Sequence, residues 1–328
     1  MQIDGSNVCF GPAGCTRWTE LALYAGSLLL LLALVLGALL WDARRAAPPS
    51  QAAVRANRHA TLASVVGVAL MLVLLTNTVT WIVFGPLTTW GIRDGRLLAL
   101  LPALAGLCLL LAQAVGQLTW PTPTGARREA ELTPRTTADV VPRRVHLVLR
   151  SWAAVALVLL VLFGIAADGP RSMTREAGRY SELVGPYPGW YYGVPLAVAV
   201  VVLVAATEGV LRLVTVRPAV VGVSPAWDLR LRRRSAGHVA RGVQLVLAVT
   251  VAGILTAAGV VHRSLGIDRI ELASGGYAYE GAAAQHVVGT ALLVLAVGAL
   301  VVGISTALLP ERSARPASTR PSVAAVTP

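Results

Sequence analysis

Seven apolar runs, each close to the length of helix that crosses a lipid bilayer, dominate this chain of 328 residues. A helix needs about 20 apolar residues to cross the hydrocarbon core. The pattern therefore predicts an all-α integral membrane protein with seven transmembrane helices. The expected spans are Leu21–Trp41, Thr61–Phe84, Leu97–Trp120, Ser151–Ala167, Trp190–Leu211, Val243–Val261 and Val287–Leu309.

The composition agrees with a bilayer as the solvent. Hydrophobic residues make up 55% of the chain and charged residues only 13%, so a soluble domain of this composition would expose large apolar patches. The net charge of +12 raises the question of a nucleic-acid partner. The arginines fall mostly on alternate connections between the spans, which is typical of a membrane topology signal, and no nucleic-acid partner is expected.

The arginine count predicts the orientation of the chain. All 28 basic residues are arginines; 20 lie on the C-terminal tail and the alternate connections that share its side, and eight lie on the other side. Short loops rich in arginine stay in the cytoplasm. The N-terminus is therefore predicted outside and the C-terminus inside. The lysine-free, Ala- and Val-rich composition resembles that of actinobacterial membrane proteins, so a multi-pass protein of a bacterial plasma membrane is expected.

The chain divides into three predicted parts. Residues 1–20 form an extracytoplasmic tail, residues 21–310 form the transmembrane domain, and residues 311–328 form a disordered cytoplasmic tail rich in Arg, Ala, Ser, Thr and Pro. The tail at the N-terminus lacks the apolar core of a signal peptide. The first helix is followed by three hairpins of about 90 residues, each opening at an arginine and closing at a proline.

Two local patterns accompany the hairpins. A histidine near each opening is expected at a wet interface, and small residues four positions apart are typical of close helix packing. The histidines are His59, His146 and His238, and the small-residue pairs are Ala33 with Gly37, Gly253 with Ala257, and Ala299 with Gly303.

Two of the three cysteines predict a disulfide. Cys9 and Cys15 lie in the outer tail with a turn-forming spacer between them, and an oxidising exterior favours their pairing. The alternative is a thiol pair that binds metal or exchanges electrons, although the tail adds only two carboxylates as further ligands. Cys108 falls inside the third span and is expected to be a packing residue.

Polar residues within the spans are the usual markers of function in membrane proteins. Glu208 is the single carboxylate in a predicted span, where it either pairs with Arg212 one turn away or forms a proton or cation site. Asn77, Gln113 and Gln117 are expected to form hydrogen bonds between helices or, with Glu208, a polar conduit.

The outer connections offer two further hypotheses. His262 and His286 end one predicted helix and begin the next, so with a neighbouring carboxylate they are candidate metal ligands. Trp190, Tyr191 and Tyr192 are typical of an aromatic belt at the membrane surface, and the alternative is a ligand-binding rim.

No catalytic motif accompanies these residues. The sequence lacks a His-Glu-x-x-His zinc motif, a Gly-x-Ser-x-Gly nucleophile elbow, a P-loop and a Cys-x-x-Cys pair. The favoured function is therefore a non-enzymatic transport subunit, or an accessory or scaffold component of a membrane complex. The expected partners are the lipid bilayer and other membrane subunits, with no cofactor. The alternatives are a small-solute or proton-coupled transporter using Glu208, Asn77 and Gln113, and a redox or metal-dependent enzyme using His262 and His286.

Overall fold

The fold is taken from a computed structural model that describes most of the chain. The described residues are 2–4, 7–9, 15–45, 48–84, 95–121, 136–177, 180–266, 270–271, 277–278 and 283–308. The predicted disordered tail at 311–328 lies outside them, as do the side chains of residues 1–25 and of Asn77.

Eight α-helices form almost all of the described structure. Their bounds are α1 Trp18–Arg45, α2 Gln51–Phe84, α3 Arg96–Leu118, α4 Thr137–Val140, α5 Arg143–Ala166, α6 Trp190–Val216, α7 Pro225–Leu265 and α8 Ala283–Leu308. Six of them, α2, α3 and α5–α8, are long and apolar enough in their described parts to cross a membrane. This number confirms a helical membrane protein. The first predicted span falls within α1, which has 28 residues, but most of its outer half has no described side chains.

Helix α7 begins far earlier than predicted. The charged segment before Val243, which carries Arg230 and Arg233, is predicted to connect two spans. The helix instead starts at Pro225 and runs for 41 residues. Ser224 caps this start, because its hydroxyl accepts a hydrogen bond from the backbone N–H of Trp227 at 3.3 Å. Proline in the first turn removes an N–H that would have no helical partner.

Consecutive long helices pack in pairs around α7. The pairs α2–α3, α5–α6 and α7–α8 are each in contact, as three hairpins require, and α1 packs against α2. Helix α7 also contacts α2, α3, α5 and α6. In the most apolar stretch of α7, 61% of the residues are buried, against 17% in that of α8. Helix α7 is therefore the centre of the bundle, and α8 presents most of its surface outwards.

Small residues allow α7 and α8 to approach closely. A Cβ added at Gly289 would meet the backbone nitrogen of Arg263 and, at 2.7 Å, the carbonyl oxygen of Gly259. Gly303 lies against Ala248 in the same way. The predicted packing role of Gly303 is thus met. The same packing is not found for Gly37 and Gly253, because no atom of the described residues lies within 4 Å of a Cβ built at either position.

Three small antiparallel sheets depart from the predicted all-α fold. One precedes α1, one lies between α5 and α6, and one lies between α7 and α8, so all three occur on segments predicted to lie outside. Their strands are β1 Gln2–Asp4, β2 Asn7–Cys9, β3 Cys15–Arg17, β4 Met173–Ala177, β5 Tyr180–Val184, β6 Ile270–Glu271 and β7 Tyr277–Ala278. Hydropathy did not reveal them because the strands are short and the segments are polar.

Candidate functional site: polar clusters at the arginine-rich end of the bundle

Glu208 on α6 pairs with helix α5. Its Oε1 atom lies 3.2 Å from Nη2 of Arg150 and 3.5 Å from Nδ1 of His146. The predicted pair with Arg212 is not among the described contacts, so the expected partner was wrong. The carboxylate is 28% exposed and Arg150 is 65% exposed. A salt bridge with this much solvent exposure contributes at most about 1 kcal/mol to the free energy of unfolding. Glu208 therefore links two helices at the rim of the bundle.

Gln113 is completely buried and joins three helices. Its Nε2 donates to the hydroxyl of Ser64 on α2 at 3.1 Å, and Nδ1 of His238 on α7 lies 3.1 Å from the same hydroxyl. Oε1 of Gln113 has no hydrogen-bond partner among the described residues. The predicted interhelical hydrogen bond of Gln113 is present, with Ser64 as the partner. The predicted interhelical hydrogen bond of Asn77 falls on a side chain outside the described ones.

Gln117 contacts a buried arginine at the end of α6. Its Oε1 accepts a hydrogen bond from Nη1 of Arg217 at 3.3 Å, and the Arg217 guanidinium lies 3.8 Å from the centre of the Trp120 ring. Arg217 is only 5% exposed, and its Nε and Nη2 have no hydrogen-bond partner in the described part of the chain. Burial, and then the neighbouring Arg232, lower the pKa of Arg217. Stacking on indole compensates part of this desolvation.

Arg232 connects α7 to the end of α6 through hydrogen bonds. Its side chain is fully buried and forms an ion pair with Asp228 at 2.7 Å, one helical turn earlier. Nη1 donates to the carbonyl oxygens of Val214 at 2.8 Å and Thr215 at 2.9 Å, and Nη2 donates to that of Arg217 at 2.8 Å. The last carbonyls of a helix have no partner within the helix. One guanidinium therefore satisfies three carbonyls at the end of α6.

Arg234 joins α7 to the first two helices. Its Nε lies 2.6 Å from a carboxylate oxygen of Asp42 on α1, although the approach is not aligned for a hydrogen bond. Its Nη1 donates to Oδ1 of Asn57 on α2 at 3.0 Å, and its Nη2 donates to the carbonyl of Leu39 on α1 at 3.2 Å. Nδ2 of Asn57 donates in turn to the carbonyl of Ala43 at 3.1 Å. These contacts fix the end of α1 against the bundle.

The three histidines near the hairpin openings all have protein partners. His146 lies beside Glu208 and His238 beside Ser64, as described above. The ring Nε2 of His59 lies 2.8 Å from the carbonyl of Gly116, and the ring packs edge-on against Trp120. They belong to the contacts between helices rather than to a freely hydrated surface.

The clusters do not form one conduit among the described side chains. The polar partners of Glu208 lie on α5, those of Gln113 lie on α2, and Gln117 binds Arg217 after α6. Each cluster connects different helices and stabilises a separate junction. The arrangement is therefore that of structural contacts between helices, spread over the arginine-rich end of the bundle.

The opposite end of the bundle contains His262. Its Nδ1 lies 2.6 Å from Oε1 of Gln285, and its Nε2 lies 3.5 Å from the hydroxyl of Tyr187, which is fully buried. Both ring nitrogens thus have protein partners. His286 is placed at the start of α8, where its backbone packs against Gly266. Among the described residues, no group of three or more His, Cys, Asp or Glu side chains could hold a metal ion.

Tyr187 is a feature of this end that the sequence did not indicate. Its ring packs edge-on against Phe163 and His262, with ring centres 5.8 and 5.7 Å apart. Burial, with a smaller contribution from Asp168, raises the pKa of Tyr187 to about 12. The hydroxyl therefore stays protonated and can donate to His262. Tyr187 joins the α5–α6 connection to the outer end of α7.

The aromatic residues at the start of α6 have mixed surroundings. Trp190 is 48% exposed, as a membrane-surface belt predicts, and its indole packs against Gly164 of α5. The guanidinium of Arg96 lies 3.6 Å from the centre of the Tyr191 ring. Tyr191 and Tyr192 pack edge-on with ring centres 5.0 Å apart. This cluster joins the start of α3 to the start of α6.

The backbone places Cys9 and Cys15 opposite each other. They are paired positions of the antiparallel strands β2 and β3, and directly opposed residues in such a pair lie close enough for a disulfide. Their side chains lie outside the described ones, so the disulfide stays a prediction. Cys108 in α3 is a free thiol.

Hydropathy does not reveal the buried arginines, because the charged segment before Val243 lacks the apolar run that predicts a membrane helix. Two signals in the sequence point to them: the Ser224-Pro225 pair is typical of a helix start, and Asp228 and Arg232 have the four-residue spacing of a helical ion pair. Nothing in the sequence indicates that Arg217 lies against Trp120, because 97 residues separate them.

Comparison with known proteins adds no identity to this chain. No family model matches it, and no similar curated protein or solved structure was found.

Proposed function

We propose that this protein is a non-enzymatic membrane component, either a transport subunit or an accessory or scaffold component of a membrane complex. The observation that carries the proposal is the use of its polar side chains. Gln113, Gln117 and Glu208 all contact other helices of the same chain. Residues with these structural contacts are expected to stabilise the bundle rather than to take part in a reaction.

The outer surface of the bundle supports a role in assembly. Only 17% of the residues in the most apolar stretch of α8 are buried. The exposed residues of this helix include Val287, Val294 and Val301. Apolar helix faces of this kind are covered in a membrane by lipid or by another membrane subunit. The lipid bilayer and other subunits are the partners that we propose.

The proposed topology has seven spans with the N-terminus outside. Its support is the 28-residue helix α1 together with the excess of arginine on the segments that share the C-terminal side. A reporter active only in the cytoplasm, fused after Pro328 and after Val221, is expected to be active at both sites. Activity of a periplasmic reporter at either site would contradict this topology, which we place in a bacterial plasma membrane.

A proton-coupled transporter is the second candidate. The observation in its favour is Glu208, a partly exposed carboxylate whose partners His146 and Arg150 could compensate a change in its charge. Unlike the polar groups in the bundle interior, it is reachable by water at the rim.

Reconstitution separates the two candidates. The purified protein is placed in liposomes that contain a pH-sensitive dye, and proton flux is measured under a membrane potential for the unaltered chain and for Glu208→Gln. The non-enzymatic proposal expects flux equal to that of empty liposomes in both cases. Flux that the substitution abolishes, but that the matched change Asp139→Asn at an exposed carboxylate of α4 leaves intact, would establish the transporter instead.

Assembly is tested directly in native membranes. The tagged chain is extracted in mild detergent and its complexes are weighed by native mass spectrometry. A reproducible stoichiometric complex with another membrane protein supports the proposal. A chain found only as a monomer, or only as copies of itself, would overturn it.

A further inference from the structure

A cleft lies between α1 and α2 at the arginine-rich end of the bundle. Its volume is about 510 Å³. The end of α1, the connection and the first turns of α2 contribute its walls, which are Leu40, Ala43, Arg44, Pro48, Val54, Asn57, Arg58, Thr61, Leu62 and Val65. The cleft is separate from the polar clusters formed by Gln113, Gln117 and Glu208.

The walls of the cleft are apolar and held in place. Asn57 donates to the carbonyl of Ala43, and Arg234 donates to that of Leu39, so the end of α1 is tied to α2 and α7. The hydroxyl of Thr61 donates to the carbonyl of Asn57 at 2.7 Å and is satisfied within its own helix. The uncharged polar side chains of the walls, Asn57 and Thr61, are thus engaged by the protein, and most of the remaining wall is apolar.

Two exposed guanidinium groups complete the lining. Arg44 and Arg58 are both exposed, and within the described structure neither has a hydrogen bond or an ion pair with another residue. Asp42, the carboxylate nearest in sequence to Arg44, is paired with Arg234 and does not line the cleft. Among the described residues, the cleft therefore combines an apolar wall with positive charge that no carboxylate pairs with.

We propose that this cleft binds an anionic phospholipid. An acyl chain fits the apolar wall, and the phosphate group is matched by Arg44 and Arg58, because guanidinium groups bind phosphate oxygens in pairs of hydrogen bonds. Basic clefts between helices at the cytoplasmic surface bind anionic headgroups in this way. A zwitterionic lipid brings its own cation, which lies close to the arginines and weakens the attraction. This site does not depend on the function proposed above.

The test compares lipids on the full-length protein. Purified protein stripped of lipid in detergent is titrated with phosphatidylglycerol or with phosphatidylcholine of the same acyl chains, and bound lipid is counted by native mass spectrometry. We expect phosphatidylglycerol to bind at least about tenfold more tightly, because each arginine near an anionic headgroup contributes a factor of about five.

Two variants probe the two halves of the site. Arg44→Gln with Arg58→Gln removes the charge and is expected to weaken phosphatidylglycerol binding at least about tenfold. Leu62→Trp narrows the cleft while keeping both charges, and it is expected to weaken binding several-fold. Leu62 is 63% exposed, so this variant keeps its fold and the test stands even where the arginine variant is unstable.

The matched control removes two arginines elsewhere at the same end. Arg143 and Arg144 are exposed at the start of α5, away from the cleft. Their double change to Gln is expected to leave binding unchanged. Equal loss in this control would show a general surface attraction and overturn the site, as would equal binding of phosphatidylcholine. Binding of inorganic phosphate that phosphatidylglycerol does not displace would also overturn the lipid site. A dimer that buries the cleft would overturn it as well.

Discussion

Replacing Arg232 with Met should destabilise the bundle more than any other single change among its arginines. The substitution keeps most of the side-chain volume and removes the guanidinium. It leaves Asp228, which is 2% exposed, without its ion-pair partner. It also leaves the carbonyls of Val214, Thr215 and Arg217 without the donor that satisfies them.

The structure sets the expected size of the effect. Removing one member of a buried ion pair costs about 3–5 kcal/mol, and a buried carbonyl without a donor costs about 1–3 kcal/mol. These contributions overlap, because water can enter at the end of the bundle. We therefore expect a loss of about 3–5 kcal/mol in the free energy of unfolding. Asp228→Asn should cost less, about 1–2 kcal/mol, because Arg232 keeps its three carbonyls and Asn can still accept a hydrogen bond.

The free energy of unfolding is measured by titration with SDS in mixed micelles, and circular dichroism monitors the unfolding. The control is Arg230→Met, which removes the same charge from an exposed position on the same helix and should change stability by less than about 0.5 kcal/mol. If Arg232→Met and Arg230→Met are equally stable, then Arg232 does not hold the end of α6. If Asp228→Asn is the more damaging change, then the ion pair outweighs the contacts with the carbonyls.

Three further predictions concern helix packing, a buried polar side chain and the disulfide. Gly289→Ala should cost about 1–3 kcal/mol in the same titration, because its new methyl group meets the α7 backbone. Gly298→Ala should be neutral, because no atom of the described residues lies within 4 Å of a Cβ at that position. Gln113→Met should change stability by no more than about 1 kcal/mol, because it removes one hydrogen bond together with a buried oxygen that has no partner. Cys9 and Cys15 should resist alkylation until a reductant is added, as measured by intact mass; labelling without reductant would refute the disulfide.

The apolar parts of the helices could be predicted from the sequence because the bilayer imposes a length. A run of about 20 apolar residues has few alternatives to a membrane-crossing helix, since each backbone polar group must be satisfied within its own segment. The predicted starts of α3 and α6 accordingly fall within one residue of the observed ones. The start of α7 was missed by 18 residues, because a charged segment carries no such constraint.

The partners of the polar residues could not be read from the sequence in the same way. Spacing along one helix offers Arg212 to Glu208, but the observed partner Arg150 is 58 residues away. Local spacing identifies a pair only when both residues share a helix, as Asp228 and Arg232 do. Contacts between helices depend on which faces meet, and the crowded, repetitive use of Ala, Val and Leu gives no indication of that.

The arginines between the end of α6 and the first turns of α7 join helices and, on the proposed topology, also orient the chain during insertion. The charge bias that orients a membrane protein acts during insertion, before the helices pack, so a residue that is later buried still counts. On the proposed topology, Arg217, Arg232 and Arg234 therefore both orient the chain and join its helices. Removing all three lowers the count from 20 to 17 against eight, which should preserve the orientation while destabilising the bundle. A cytoplasmic C-terminal reporter that stays active in an unstable triple variant would separate the two roles, and an inactive one would show that these arginines dominate insertion.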